Sequence, residues 1–161
     1  MPRSVAADPV PATMAAPPVT TVMNACPMKA APIDGTTPVV GASKQVETIQ
    51  ISELLAQLAW RYRGEPSGVC DLRDLSMRLI DYQAAELRSQ VASGMRLVVS
   101  LRSVFENPTS APIARETDAV VVCIALGETK FKQVEETLAA VGRERVVGSI
   151  VLRPKRKPTG R

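Results

Sequence analysis

The rhythm of apolar and polar positions changes several times along the chain, and each change marks an element. Pro38 to Gly41 reads as a short first strand running into a loop at Gly41, Ala42, Ser43 and Lys44. Ile51, Leu54, Leu55, Leu58, Ala59 and Tyr62 then recur at spacings of three and four, the stripe of an amphipathic helix. Ser52 is an alternative N-cap for it, and the two glycines and the proline between Arg63 and Gly68 end it. Val69 to Leu72 is a second strand. Asp71 or Asp74 is placed to cap a helix bearing Leu75, Leu79, Leu87 and Val91, which stops at Gly94. Met95 to Ser100 is a third strand, and its consecutive Leu97, Val98 and Val99 suit a strand covered on both faces. Asn107-Pro108 breaks the chain before a short helix over Ser110 to Glu116. Ala119 to Leu126 is the strongest strand, apolar throughout. Thr129 opens a helix with Phe131, Val134, Leu138 and Val141 facing inward. Gly142 ends it, and Val146 to Leu152 is the last strand.

Strands and helices alternating in this way predict an α/β fold: a three-layer, doubly wound, mostly parallel five-stranded sheet with right-handed crossovers. Proline refines the domain plan. Of 13 prolines in 161 residues, eight fall in the first forty. Residues 1–36 therefore read as an extended Pro/Ala-rich arm, 37–152 as the folded domain and 153–161 as a tail. The arm has no apolar stretch of the kind a secretory signal needs. It reads as a mobile segment, a strand-forming arm that packs on a partner, or the product of a mis-assigned start codon. No apolar run reaches the ~18 residues of a membrane-spanning helix.

Charge alters the picture at the C-terminus. Net charge is +4, yet Arg153, Lys155, Arg156, Lys157 and Arg161 lie in the last nine residues, without an acid. The rest of the chain carries 15 basic and 16 acidic residues and is close to neutral. Such a tail can contact anionic lipid at about 1 kcal/mol per charge, contact phosphate, or simply keep the protein solvated.

Histidine is absent, which excludes histidine triads, histidine metal sites and histidine pH switches. Cys26, Cys70 and Cys123 are widely spaced, without a Cys-x-x-Cys pair, so they argue against zinc and for a reducing, cytoplasmic setting. Cys70 and Cys123 lie in apolar runs and read as core residues. Asp71, Asp74 and Asp81 alternate with Arg73 and Arg78 and read as a salt-bridged helix face rather than a metal site. Glu135 and Glu136 read the same way beside Lys130 and Lys132. Five aromatic residues, Trp60, Tyr62, Tyr82, Phe105 and Phe131, are too few for a nucleic-acid stacking platform.

From Gly94 onward the order of parts is specific enough to compare. Leu97-Val98-Val99-Ser100 is followed by a loop to Pro108, then by Ala114 to Ala119. After these come the strand Val120 to Leu126, the loop Gly127-Glu128-Thr129-Lys130 and the closing strand Val147 to Leu152. This stretch resembles the second half of the MinD/ParA-type P-loop ATPases, nearest to the cytoplasmic tyrosine-kinase domains of bacterial exopolysaccharide synthesis. Thr48 to Tyr62 resembles, more loosely, the helix after the P-loop, and Val69 to Arg73 the next strand.

The departures from that family are informative. A phosphate cradle needs Gly-rich backbone amides, a lysine on the phosphates and a hydroxyl on Mg²⁺. The matching turn here, Gly41-Ala42-Ser43-Lys44-Gln45-Val46-Glu47-Thr48, has one glycine, lacks Gly-Lys-Ser/Thr and carries Glu47 near where phosphates lie. Ser100 stands where the family has its Mg²⁺-associated acid, and no tyrosine follows Tyr82 to act as a terminal phosphoacceptor.

The resemblance with its missing chemistry implies a non-catalytic member of the family, without a cofactor, that binds protein partners in polysaccharide synthesis or export. Those partners are an intact paralogue or the cytoplasmic end of an inner-membrane chain-length protein, with a homo-oligomer also open. The exposed loop Arg102, Phe105, Glu106 and Asn107 and the basic tail are the candidate contacts, at the inner face of the membrane. Two alternatives stay open. One is a nucleotide-binding ATPase or kinase-like enzyme using ATP and Mg²⁺ through Lys44, Asp71, Ser100 and Thr129. The other is a basic-tailed adaptor for membrane or nucleic acid.

Overall fold

The computed structural model describes residues 35–64, 66–117 and 119–153. Five strands, β1 (Thr36–Gly41), β2 (Ser67–Asp71), β3 (Arg96–Leu101), β4 (Val120–Ala125) and β5 (Val146–Leu152), form one sheet in the order β2-β3-β1-β4-β5. Every neighbouring pair is parallel. Four helices connect them: α1 (Thr48–Arg63), α2 (Ile80–Ala92), α3 (Ser110–Arg115) and α4 (Phe131–Val141). Most of the arm, including Cys26, and the tail beyond Arg153, including Lys155, Arg156 and Lys157, lie outside the described residues.

The layering follows from handedness. The β1-to-β2 connection travels past β3 toward one edge, while the other three connections travel toward the opposite edge. Right-handed crossovers running in opposite directions must lie on opposite faces. Accordingly α1 alone packs on one face. Its Ala56, with Ile49, Ile51 and Leu55, meets Val39, Val69, Val98 and Cys123. On the other face, Ala84 and Leu87 of α2, Ile113 of α3 and Val141 of α4 meet Val40, Val99, Leu101, Val120 and Val122. Alternate residues of each strand go to opposite layers, as the pleat requires.

Pro38 lies in the central strand, where a missing N–H is normally excluded. Pairing with β3 runs from Thr36 to Val40, but pairing with β4 begins only at Val39. Pro38 therefore sits where β1 is paired on one side alone.

Three helical expectations are corrected. Helix α1 starts at Thr48, and Ser52 is not its cap but a mid-helix residue whose hydroxyl donates to Thr48 O at 3.0 Å. The residues α1 buries fully are the small Thr48, Ser52 and Ala56, so the helix lies close to the sheet. Half of the expected stripe is turned outward in consequence: Leu54, Leu58 and Tyr62 are exposed, as is Trp60. Helix α2 starts at Ile80, after a 3-10 turn at Met77–Leu79, rather than at a cap on Asp71 or Asp74. Leu75 is buried ahead of that turn, while Leu79 is exposed. Helix α4 starts at Phe131, whose ring faces solvent, because the Thr129 side chain is spent on closing the preceding turn. Gly64 ends α1 in the left-handed region, φ 66°, with its N–H on Trp60 O. Cys70 and Cys123 are buried, as expected of core residues.

Two leucines test this layering. Leu87 is 1% exposed and Leu54 is 51% exposed. Leu87→Ala should cost about 2–5 kcal/mol in urea unfolding, and Leu54→Ala less than about 1 kcal/mol. Equal losses would mean that Leu54 is covered in the folded protein.

Candidate functional site

In an open parallel sheet, ligands bind outside the carboxyl ends of the strands, beside the strand where the direction of winding reverses. Here that strand is β1, between β3 and β4. Four residues singled out from the sequence come to this edge. Lys44 follows β1 and is exposed, Asp71 closes β2, Ser100 is the penultimate residue of β3, and Thr129 follows β4. Asp71 and Ser100 are partners in the β2–β3 register.

The side chains at this edge are tied to one another. Thr48, the first residue of α1, shares a 2.8 Å hydrogen bond with the Ser100 hydroxyl, and its own hydroxyl lies 2.8 Å from Leu101 O. Both residues are fully buried. Thr129 accepts from the Ala125 N–H at 2.9 Å and shares a 2.9 Å hydrogen bond with the Ser43 hydroxyl. The β1–α1 loop is thus pinned to the β4–α4 turn. Within the loop, the Ala42 N–H donates to Cys123 O and the Val46 N–H to Ser43 O. Val46 is 8% exposed and joins the core under α1. Its Cβ lies 3.1 Å, and Ser43 O 3.2 Å, from where a Cβ on Gly41 would stand, so the loop folds back closely on Gly41 and a larger residue there would have to displace it slightly.

Charge at the edge is organised by Arg73. Its guanidinium makes two 2.9 Å contacts with the Asp71 carboxylate and one with Glu47. The Arg73 N–H also donates to Asp71 at 3.1 Å. Burial alone would raise the Asp71 pKa, but these hydrogen bonds and the positive charge outweigh it and hold the group below its ordinary value. Asp71 is therefore an anion committed to an arginine, poorly suited to act as a base. Glu47 is the N-terminal flanking residue of α1, where the helix dipole favours an anion. A phosphate arriving there would meet a carboxylate already in place. The Cys123 thiol is pushed up to about 12 by burial and is inert as a nucleophile. Among the described residues, no three His, Cys, Asp or Glu side chains gather to hold a metal ion.

The acid-rich stretch differs from the salt-bridged helix face expected of it. Asp71 and Asp74 precede the helix; Asp71 binds Arg73 two residues on, and Asp74 binds Arg102, joining the segments that follow β2 and β3. The Lys132–Glu136 pair on α4, 3.5 Å apart, does follow the expected pattern. In the loop after β3, Phe105 and Glu106 are exposed, and Arg102 bonds Asp74. Asn107 is turned inward. Its amide donates to Arg73 O and Leu75 O, and its carbonyl accepts from the Thr109 N–H and hydroxyl.

Sequence reading missed Arg73 and Asn107 as organisers, because the bonds by which they join separate connections, to Glu47 and to Arg73 O and Leu75 O, span 26 to 34 residues. Thr48 could have been found, since it closes the eight-residue turn from Gly41. Neither a comparison with models of known protein families nor one with curated proteins finds a match.

The Asp71–Arg73 pair gives a pH test. A carboxyl held below its ordinary value stabilises the fold above the unfolded pKa, about 3.9. That contribution is lost as pH falls through the folded value. Asp71→Asn should therefore be destabilised by about 1 kcal/mol at pH 7. The gap from the parent should close as unfolding is followed below about pH 4. A gap independent of pH would show that the charge of Asp71 contributes nothing.

Proposed function

We propose that this chain is a P-loop-ATPase-like protein without nucleotide chemistry, acting through protein–protein binding as an accessory or regulator of bacterial polysaccharide synthesis or export. The observation that carries the reading is the state of the β1–α1 turn. Its place in the sheet is the one where a P-loop would cradle phosphate. Val46 is folded down onto Gly41, and Glu47, exposed just ahead of α1, is bonded to Arg73. Arg73, beside it, is already held by two carboxylates. Ser100, which stands where the family has its Mg²⁺-associated acid, is bonded to the Thr48 hydroxyl at the end of the turn. Ser100 brings no negative charge for a divalent cation.

The all-parallel sheet, with its switch point at the first strand, is consistent with the resemblance drawn from Gly94 to Leu152. The polysaccharide setting, with an intact paralogue or a chain-length protein as partner, rests on that resemblance alone. Binding to a protein is further supported by exposed apolar side chains: Leu54, Leu58, Trp60 and Tyr62 on α1, and Phe105 in the loop after β3. Leu54, Leu58 and Tyr62, spaced by four, lie along one side of α1, and a contiguous exposed apolar stripe of that kind marks an interaction surface. The basic tail adds a means of holding the complex at an anionic membrane surface.

The test is a titration of the whole chain with Mg²⁺-ATP and Mg²⁺-ADP, read by calorimetry and thermal unfolding. A ligand at 100 times its Kd adds about 2.7 kcal/mol of stability, a clear rise in Tm. No shift at millimolar nucleotide is expected. A shift abolished by Lys44→Ala would overturn the reading and make the chain a nucleotide binder with unorthodox phosphate contacts.

A further inference from the structure

The two edges of the sheet are unlike. β2 is five residues long, follows Pro66 and ends in the Arg73-bound Asp71, so it is short and closed by charge. β5 is seven residues long, Val-Val-Gly-Ser-Ile-Val-Leu, with neither a charge nor a proline. Val147 and Val151 are 66% and 57% exposed, and Gly148 faces open space. A bulge leaves Val147 outside the β4 ladder, and Gly148 to Leu152 pair regularly with β4. Beside this strand Val134 and Leu138 of α4, with Ile124 and Ser149, line an open apolar cleft of about 280 Å³. A long, uncharged, β-branched edge, interrupted only by the bulge at Val147, is a template for another strand.

We propose that β5 pairs antiparallel with β5 of a second copy of this chain, joining two sheets into one of ten strands. The strand is complementary to itself. A two-fold axis through Ser149 sets Val147 opposite Val151 in both directions, so the exposed valines cover each other. It also sets Gly148 opposite Ile150, where the glycine leaves room. Because Val146 to Leu152 carries no charge, a second copy brings no like charges into the ladder. Only Arg145 and Arg153 meet, at its ends, and Arg145 is already held by Thr117 O and Glu144. The contact lies away from the β1–α1 turn and does not depend on whether nucleotide binds.

Sedimentation equilibrium of the full chain should give a monomer–dimer equilibrium that tightens as salt screens the terminal arginines. Val151→Lys, at a position already in solvent, should weaken it about tenfold or more while the circular dichroism stays that of the parent. In a Cys26→Ser background, Ser149→Cys should form an intermolecular disulfide under mild oxidation. Residues facing each other across an antiparallel pair have Cα atoms about 4.5–5.5 Å apart, within disulfide reach. Val147→Cys alone should not cross-link, whereas Val147→Cys with Val151→Cys should. A full chain that stays monomeric would overturn the proposal. So would a dimer indifferent to Val151→Lys and without the Ser149→Cys disulfide, or one that dissociates as salt rises. A monomer that dimerises only once residues 1–34 are removed would also overturn it, making the arm the occupant of the edge.

Discussion

A parallel sheet is stable only when both faces are covered, and each connection between its strands must turn to the right. Those two conditions account for most of this molecule. Because the chain enters at the central strand and moves first to one edge, α1 is committed to one face alone. The later connections all move the other way, and three helices share the opposite face. The crowded face is sealed by leucines, isoleucines and valines. The sparse face is served by one helix, which lies close through threonine, serine and alanine and carries larger side chains toward solvent.

The same asymmetry explains what was legible in the sequence. Strand runs such as Val120 to Ala125 and Val146 to Leu152 could be read almost to the residue, the first because a buried parallel strand is apolar on both sides, the second because it is an unbroken β-branched run although it lies at the exposed edge. The helix stripe at Leu54, Leu58 and Tyr62 misled, because periodicity reports an apolar face without saying what covers it. Small residues such as Ser52 and Ala56, which make the real contact, carry no hydrophobic signal. The beginnings of helices were the other weak point. Asp71 and Asp74 have the chemistry of caps, yet Asp71 is spent on Arg73, two residues on, and Asp74 on Arg102, a partner that only the folded chain brings near. Of the candidate site, Lys44, Asp71, Ser100 and Thr129 were placed at one sheet edge by the alternation of elements. How they are bonded there could not be read from their order.

At that edge, hydroxyl–hydroxyl and carboxylate–guanidinium bonds perform a purely internal task. Ser43 with Thr129 and Arg73 with Glu47 each join two connections that leave the same end of the sheet, Thr48 with Ser100 ties α1 to β3, and Asp71 anchors Arg73. A hydrogen bond satisfied within the protein contributes modestly to stability, whereas leaving its buried partner unpaired is expensive. A ligand that needed these groups would have to break them first. Serving as a rigid corner and serving as a binding pocket are therefore competing uses of the same residues.

The position of β1 has a consequence for the order in which the molecule is assembled. The first described strand is the middle of the sheet, and its Val39 to Gly41 pair with Val121 to Cys123, about 80 residues later. On a ribosome, the segment around Val39 and Val40 emerges early, with one side awaiting β3 and the other β4. Two valines that end fully buried must stay without their β4 partners while most of the domain is synthesised. The fold closes around β1 only once β4 has emerged, and the growing chain has every reason to be shielded until it does.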